Sequence, residues 1–286
     1  MSVGAVGFVG LGNMGSVLAA NLVQQGHAVV AHDALGADRV PGGAVPACDV
    51  ADVARRADVV VLSLPDGAAS EQVTGALLAA ADRRVTHVVD TSTIGVRTAR
   101  ALDRTLSDAG LTYVDAPVSG GVAGARARTL TVMYAATDDA CLRVEPVLAG
   151  LSDVRHRVGD RPGLAQAMKL ANNFLSATAL AATSEAIAFG LSEGLEMATM
   201  LEVLNRASGR SAATADKFPN HVLTGRYASG FTNTLMAKDV DLYLRAAEDT
   251  GTSAAVAAVT VAIWERFAAT EPGADFTRIY PFVEGS

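Results

Sequence analysis

Cysteine, aromatic residues and charge are all sparse in this chain of 286 residues. The two cysteines, Cys48 and Cys141, form neither a CxxC pair nor a disulfide spacing, which is consistent with a reducing cytoplasm. Aromatic residues account for 5% and charged residues for 19%, whereas half of the chain is hydrophobic, a composition typical of a helix-rich globular protein. The formal net charge of -7 comes from scattered acids, and without a basic stripe it argues against a nucleic-acid partner.

Targeting and metal signals are missing as well. Residues 1–7 lack the basic n-region of a signal peptide, and the best membrane-span candidate, Leu175–Leu191, carries Ser, Thr and Glu185. We therefore expect a cytoplasmic protein without a membrane span. The five histidines are scattered, with no HExxH motif, so we expect no metal site and no Ser-His-Asp triad.

Short β-rich runs alternate with helical stretches in the first half of the chain, and this alternation predicts a mostly parallel, doubly wound sheet. The strand candidates are Ala5–Val9, Ala28–His32, Val59–Leu64, Val85–Asp90 and Thr112–Asp115, with Thr129–Ala136 and Val154–Val158 as later ones. From Gly163 onward helical patterns dominate. We predict an α/β domain over residues 1–160, an all-α domain over 161–286, and a long linking helix at about 163–191.

A glycine-rich loop, Gly10-Leu11-Gly12-Asn13-Met14-Gly15, follows the first predicted strand and opens a predicted helix. This strand, turn and helix context is what makes the GxGxxG spacing informative. The first glycine permits the turn, the second lets a pyrophosphate approach the backbone, and the third lets the helix pack on the strand. The N–H groups at the start of the helix then hold the phosphate charge. The loop predicts a Rossmann-type dinucleotide-binding domain.

Asp33 follows directly after the second predicted strand. A carboxylate there accepts hydrogen bonds from the adenosine ribose and repels a 2′-phosphate, which favours NAD over NADP. Arg39 follows closely and is able to serve a phosphate, so NADP stays open. The alternative for Asp33 is that it only starts a turn.

The third and fourth predicted strands lead into Leu64-Pro65 and Ser92-Thr93. Loops at the carboxyl ends of parallel strands bind ligands in open α/β sheets, so both segments are candidates for cofactor contacts. The hydroxyls of Thr93 and Ser92 suit the nicotinamide ribose. Alternatively, these two residues are N-caps of a helix over Ile94–Ala109.

One lysine lies in an unusual setting. The predicted helix Gly163–Leu191 is nearly apolar all round, and its only charged residues are Lys169 and Glu185. Such a helix is buried. A lysine in it must therefore form an ion pair, extend its amine to water or take part in catalysis. Asn172, Asn173 and Ser176 fall on the same helical face as Lys169. The sequence therefore predicts a polar wall made of an amine, two amides and a hydroxyl.

Four motifs stand in one order along the chain: GFVGLGNMG at 7–15, DAPVSGGVAGARARTLTVM at 115–133, GLAQAMKLANN at 163–173 and KDVDL at 238–242. Together they resemble the β-hydroxyacid dehydrogenase family. Its members include 3-hydroxyisobutyrate dehydrogenase and tartronate semialdehyde reductase, and it is related to 6-phosphogluconate dehydrogenase. The motifs span nearly the whole chain, and four in order are far more specific than any one alone.

The resemblance implies an NAD(P)-dependent oxidoreductase that interconverts a small 3-hydroxy acid and its semialdehyde or keto acid. Lys169 matches the family's catalytic lysine, and Asn173 matches the asparagine that positions the substrate. Ser119-Gly120-Gly121 resembles the loop that grips the substrate carboxylate, and consecutive glycines expose amides that suit an anion. Phe231 resembles the aromatic wall of the substrate pocket, and Lys238 resembles a lysine on the nicotinamide side of the cofactor pocket.

The chemistry needs a hydride acceptor, which nicotinamide supplies, and a group that removes the hydroxyl proton. A free lysine has a pKa of about 10.4, so the pKa of Lys169 must be lowered for it to act as a base near neutrality. Apolar surroundings and the positive nicotinamide ring both act in that direction. Two alternatives stay open: an imine reductase-like NADPH enzyme, whose relatives lack the lysine–asparagine pair, and a non-catalytic cofactor-binding module.

The chain departs from the family pattern in several places, which puts loop geometry and substrate choice in doubt. Ala165 and Arg128 stand where the family usually has glycine, and Val96 stands where it often has proline. Met133 is followed by Tyr-Ala-Ala, where the family has Val-Gly-Gly. Arg126 and Arg128 lie near the predicted anion loop in sequence. They either contact a second acidic group of the substrate or are solvated residues at the sheet edge.

The C-terminal helical half is rich in Ala and Val on several faces, as in Ala254–Val261. A monomer buries such faces poorly, and relatives are oligomers. We expect a homodimer or homotetramer, with the C-terminal domain serving both the substrate and oligomerisation.

Overall fold

The structure, a computed structural model, describes residues 4–285. It contains two compact units, one ending at Lys169 and the other beginning at Leu170. The division lies inside the long helix that was predicted to start near residue 163. The first turn of this helix is hydrogen-bonded to the sheet of the first unit through Asp115, and it therefore belongs to that unit.

The described part of the first unit is built on one nine-stranded sheet. Its strands are β1 (Val6–Val9), β2 (Val29–His32), β3 (Val45–Pro46), β4 (Val59–Leu62), β5 (His87–Asp90), β6 (Thr112–Asp115), β7 (Val118–Ser119), β8 (Thr131–Ala135) and β9 (Val154–Gly159). Their order is β3-β2-β1-β4-β5-β6-β8-β7, with β9 paired to β8. The strands from β3 to β6 in this order are parallel, and β8 is antiparallel to β6 and β7.

This arrangement confirms the predicted doubly wound sheet, whose strand order reverses between β1 and β4. Six strands lie within the predicted runs, and β9 extends one residue beyond its run, to Gly159. The other two, β3 and β7, are each two residues long, which is too short for an alternating pattern to show in the sequence.

Helices cover both faces of the sheet. They are α1 (Gly15–Gln24), α2 (Val50–Arg56), α3 (Gly67–Ala79), α4 (Val96–Asp108), α5 (Gly121–Arg126) and α6 (Asp138–Leu151). One apolar cluster joins buried residues of α1 and α6, such as Leu18 and Leu148, to the strands. A second cluster joins buried residues of α2, α3 and α4, such as Leu77 and Leu106, to the strands.

Helix α4 begins later than predicted. Gly95 occupies its N-cap with a φ of 86°, so the interpretation of Ser92 and Thr93 as N-caps is wrong. Val96 is the first helical residue, and this is the position that proline favours in a helix. A proline would therefore fit the backbone of α4 at the position of Val96.

Arg128 has a φ of 59°, in the left-handed region where glycine is least strained. Its guanidinium donates to the carbonyls of Ala149 and Gly150, both at 2.8 Å, and pairs with Asp153 at 2.7 Å. The side chain therefore holds the end of α6, which corrects both sequence interpretations of Arg128. The third departure, Ala165, is fully buried among apolar neighbours.

The second unit is helical, as predicted. It contains most of α7 (Leu164–Ser192), then α8 (Met197–Arg206), a π-helical segment at Ala213–Val222, α9 (Asn233–Asp249), α10 (Ala255–Thr270) and α11 (Ile279–Glu284). Its core is made of large side chains with almost no exposure, among them Phe218, Trp264, Phe267 and Ile279.

Helix α7 is long and apolar enough to cross a membrane by length and composition. One such helix says little, because the core helix of a globular protein passes the same test. Ala177, Leu180 and Ile187 of α7 are buried in the core of the second unit, which is the setting of a core helix.

Candidate active site

The glycine-rich loop lies at the carboxyl end of β1, next to the loop that follows β4. A doubly wound sheet binds its ligand where the strand order reverses, and β1 and β4 flank that point. Helix α1 starts at Gly15, and no side chain caps its N-terminus. The predicted cofactor residues Gly10–Gly15, Leu64 and Pro65 are thus brought to one edge of the sheet.

The three glycines of this loop have different surroundings. Gly10 has a φ of 93°, and a Cβ there would strike the backbone of Ser63. A Cβ on Gly15 would strike the carbonyl group of Gly10, whereas a Cβ on Gly12 would meet no atom within 4 Å. The fold therefore requires glycine at Gly10 and Gly15, and the bare backbone at Gly12 leaves the open space that a pyrophosphate needs. These residues fit a dinucleotide.

Asp33 is held against the glycine-rich loop. Its carboxylate accepts hydrogen bonds from the backbone N–H groups of Leu11 at 2.6 Å and Leu35 at 2.8 Å. The Nε atom of Arg39 lies 4.0 Å from the same carboxylate. The acid therefore has the position beside the loop that a ribose-binding residue takes in this fold.

The loops after β4 and β5 are tied together through Ser92. Its hydroxyl accepts a hydrogen bond of 2.8 Å from the N–H of Leu64, and its own N–H donates to Asp90 at 2.9 Å. Ser92 is buried, so its hydroxyl serves the loop. Thr93 is partly exposed, and its contact with the cofactor stays a prediction.

A buried amide that the sequence analysis does not single out joins this loop to α7. The Oε1 atom of Gln166 accepts hydrogen bonds from the N–H groups of Ile94 at 2.9 Å and Gly95 at 3.1 Å. Its Nε2 atom donates to the carbonyl of Ser92 at 3.0 Å and to Asp115 at 2.8 Å. One side chain thereby connects three elements of the first unit.

Asp115, at the end of β6, caps the first turn of α7. Its Oδ2 atom accepts from the N–H groups of Gly163 at 2.8 Å and Gln166 at 3.0 Å.

Burial raises the pKa of Asp115 to about 6, although these hydrogen bonds oppose the shift. Burial also raises the pKa of Asp90, its register partner on β5. The pKa of Tyr113, which donates to Asp90 at 3.4 Å, is raised by burial and by both acids.

The predicted substrate loop lies where β7 passes into α5. Ser119 pairs with Thr131 across β7 and β8, and Gly120 and Gly121 have φ values of 132° and 67°. A side chain on Gly120 would also crowd Leu130, whose Cα would be 3.4 Å from the added Cβ. This backbone explains both glycines. Carboxylate binding by the loop stays a prediction.

Lys169 lies in the second turn of α7, three residues after Gln166. It is only 7% exposed, with fully buried neighbours such as Ala165 in the preceding turn. Lysine is almost never this buried without a reason, because its charge is costly away from water.

In the second unit, Asp239 of α9 contacts two of the predicted site residues. Its Oδ2 atom accepts a hydrogen bond of 2.6 Å from Asn173, and its Oδ1 atom lies 3.0 Å from the amine of Lys238. The side-chain oxygen of Asn173 accepts from Asn172 at 3.0 Å, so the amide is oriented from both ends. Sequence analysis missed Asp239 although it stands in the KDVDL motif, since nothing in the motif distinguishes it from Asp241.

Phe231 precedes α9 and packs edge-on against Phe276, with ring centroids 5.7 Å apart. Its carbonyl also accepts a backbone hydrogen bond of 2.9 Å from Phe276. These contacts hold it at the margin of the core of the second unit. Its role in substrate binding stays a prediction.

Among residues 4–285, no group of three or more His, Cys, Asp or Glu side chains is placed to hold a metal ion. The doubly wound sheet, the open space at Gly12 and the acid beside the loop are together the features of a dinucleotide-binding domain. The chain belongs to the β-hydroxyacid dehydrogenase family, as the resemblance predicts. Residues 5–159 match the NAD binding domain of 6-phosphogluconate dehydrogenase, and residues 163–283 match the "NAD-binding of NADP-dependent 3-hydroxyisobutyrate dehydrogenase" family.

Similar proteins are dehydrogenases of hydroxy acids. The chain is 34% identical to 2-(hydroxymethyl)glutarate dehydrogenase of Eubacterium barkeri, over 91% of this chain and 88% of that protein. It is also 34% identical to 3-hydroxyisobutyrate dehydrogenase of Pseudomonas aeruginosa, over 98% of each. The protein is therefore an NAD(P)-dependent hydroxyacid dehydrogenase.

A solved structure of Mycobacterium tuberculosis 3-hydroxyisobutyrate dehydrogenase with L-serine superimposes with a TM-score of 0.91 at 31% identity, over 99% of both chains. Imine reductases share the fold alone: the Streptomyces aurantiacus enzyme has a TM-score of 0.65 at 21% identity, over 97% of this chain and 99% of its own.

Proposed function

We propose that this enzyme interconverts a small 3-hydroxy acid and its semialdehyde or keto acid, with Lys169 as general acid and base. The observation that carries the proposal is a buried lysine in an apolar helix, one turn before an asparagine whose amide is oriented by Asp239. When bound, the nicotinamide accepts a hydride from the carbon that bears the hydroxyl group, or returns it.

Lys169 handles the proton in this proposal. In the oxidation its neutral Nζ atom takes the proton from the substrate hydroxyl, and in the reduction its ammonium donates that proton. The ammonium also stabilises negative charge on the oxygen as it develops. Asn173 holds the hydroxyl oxygen in line, which restricts the substrate to reactive orientations.

The remaining assignments follow the family motifs. The amides of Ser119–Gly121 bind the substrate carboxylate, and Phe231 packs against the rest of the substrate. Lys238 serves the cofactor. Asp33 selects NAD, because its carboxylate is fixed beside the glycine-rich loop by Leu11 and repels a 2′-phosphate.

We also propose a cytoplasmic homodimer or homotetramer. Apolar side chains of the second unit are more than half exposed, namely Leu175 and Phe189 on α7 and Val256 and Val259 on α10. A second copy of the chain is the partner that such faces favour in a homo-oligomer. Two free cysteines are consistent with a reducing compartment. Sedimentation equilibrium is expected to give two or four copies, and a monomer would contradict this assignment.

The experiment for the reaction is a substrate panel with NAD and NADP. The panel contains 3-hydroxyisobutyrate, L-serine and 2-(hydroxymethyl)glutarate, with lactate as the 2-hydroxy acid control. We expect oxidation of at least one 3-hydroxy acid, little of lactate, and faster rates with NAD. Tight NADH binding without any turnover would favour a non-catalytic module, and NADPH-dependent reduction of cyclic imines alone would favour an imine reductase.

A further inference from the structure

We propose that Gln166 is a positioning residue that fixes the loop carrying Thr93 relative to the turn of α7 carrying Lys169. This inference rests on the proposed function of Lys169. Its basis is one fully buried amide whose four hydrogen bonds end on the loop after β5, on the start of α4 and on β6.

On the loop side, Gln166 holds the backbone before and after Thr93. It accepts from the N–H groups of Ile94 and Gly95 and donates to the carbonyl of Ser92. Gly95 is the N-cap residue of α4, and the amide of Gln166 provides the acceptor for its backbone N–H, one of the donors that lack a partner within the helix. Without it, two buried donors and one buried acceptor of this loop would lose their partner.

The same loop is connected further to the segment after β4. The hydroxyl of Ser92 accepts from the N–H of Leu64 at 2.8 Å, and Leu64 is another predicted cofactor residue. A displacement of the backbone at Ser92 therefore reaches two segments predicted to contact the cofactor.

On the helix side, Gln166 and Lys169 are three residues apart and share a face of α7. The backbone N–H groups of Gly163 and Gln166 are held by Asp115, so the first turn of the helix is attached to the end of β6. Because an α-helix is stiff over one turn, fixing the first turn of α7 also fixes Lys169. Both its position along the helix axis and the direction in which its side chain leaves the helix are then set.

The chemistry of the site requires an amide. The oxygen of Gln166 faces two donors, and its nitrogen faces two acceptors. In Gln166→Glu a second oxygen would face the Ser92 carbonyl and the Asp115 carboxylate. In Gln166→Met all four hydrogen bonds are lost with little change of volume.

The exchange of Asp115→Asn together with Gln166→Glu restores one complementary pair. The amide introduced at position 115 would donate to the carboxylate introduced at position 166, whose other oxygen still accepts from Ile94 and Gly95. A mere loss of packing would not be repaired by this exchange, so rescue tests the positioning role.

The experiment measures kcat and the KM for NAD with the best substrate of the panel, in folded enzyme. We expect Gln166→Met and Gln166→Glu to lower kcat by about 10- to 100-fold, since small displacements of a catalytic group have effects of this size. The KM for NAD should rise, and the double variant should be faster than either Gln166→Glu or Asp115→Asn. As control, Asn205→Leu removes a partly buried amide that donates to the Thr214 carbonyl in the second unit, and it should leave kcat near the parental value.

The outcomes separate the two proposals. Normal turnover of Lys169→Ala would refute the proposed function whatever Gln166 does. Suppose that Lys169→Ala is inactive but Gln166→Met keeps kcat and the KM for NAD within about twofold. The positioning role of Gln166 is then wrong, whereas the proposed catalytic role of Lys169 is retained. If Gln166→Met does not fold, the comparison of Gln166→Glu with the double variant decides, and failure of rescue would overturn the inference.

Discussion

Asn173 donates a hydrogen bond of 2.6 Å to Asp239, whose other oxygen lies 3.0 Å from the amine of Lys238. Asn173 and Asp239 are 66 positions apart in the chain and belong to different motifs of the family. Their contact shows that GLAQAMKLANN and KDVDL meet in one polar cluster of the second unit. The cluster gives Asn173 a fixed orientation, as its proposed role of holding the substrate hydroxyl requires.

Asp239→Asn should lower kcat by about 10- to 100-fold and raise the KM for NAD. The variant keeps the size of the side chain but removes the charge next to Lys238, and its amide offers Asn173 only one oxygen. Steady-state kinetics with both substrates varied would measure this. The matched control is Asp241→Asn two residues on, where the partly exposed acid pairs with the exposed Arg245 of the same helix. Equal behaviour of the two variants would refute the role of Asp239.

Gly12→Ala should weaken NADH binding, whereas Gly15→Ala should lower the stability of the fold. A methyl group at Gly12 meets open space, so that variant should keep its melting temperature but bind NADH about tenfold or more weakly. A methyl group at Gly15 strikes the carbonyl of Gly10, so that variant should lose stability. Thermal unfolding and NADH fluorescence titration distinguish them. Unchanged NADH binding in a folded Gly12→Ala protein would contradict the assigned pyrophosphate position.

Asp33→Ser should shift the cofactor preference toward NADP. The substitution removes the charge that repels a 2′-phosphate and leaves Arg39 close by, 4.0 Å from the original carboxylate. Asp33→Asn tests the charge alone, because it removes the charge but keeps an oxygen for the N–H of Leu11. The ratio of kcat/KM for NAD and NADP is the measurement. A parent enzyme that works equally well with NADP would already refute the selectivity.

The stability of the parent relative to Asp115→Asn should fall as pH rises from about 4 to about 7. The pKa of Asp115 is raised from 3.8 to about 6 in the folded state, so the folded protein binds this proton more tightly than the unfolded chain. The stabilisation is complete below 3.8 and is lost as pH rises through about 6. It amounts to on the order of 3 kcal/mol. Denaturant unfolding of both proteins across this pH range would measure the loss of stability. A difference in unfolding free energy that stays constant with pH would contradict the prediction.

The sequence alone predicted those parts of the fold and of the candidate site that depend on residues close together in the chain. The GxGxxG loop, the apolar strands and the lone lysine of α7 each depend on residues within a few positions of one another, and the fold confirms the predicted sheet and helical half. The departures at Val96 and Arg128 were visible in the sequence too. The reason for each departure could be seen only in the backbone conformation. The N-cap at Gly95 shows why proline suits the position of Val96, and the φ of 59° shows why glycine suits that of Arg128.

The parts that could not be predicted depend on distant partners. Gln166 forms hydrogen bonds with residues up to 74 positions away. The apolar helix around it indicates burial, but the sequence does not show which distant groups its amide binds. Asp239 and Asp241 look alike in the KDVDL motif, yet one is buried against Asn173 and the other pairs with Arg245 at the surface. Burial and register select between such candidates, and both are properties of the folded chain.

The proposed reaction depends on proton transfer by Lys169. The most direct measurement is turnover of Lys169→Ala with the best 3-hydroxy acid, beside the dissociation constant for NADH. We predict a folded variant that binds NADH as the parent does but turns over about 10²- to 10⁴-fold more slowly, the contribution expected of a general acid and base. Turnover near the parental rate in a folded Lys169→Ala protein would contradict the account.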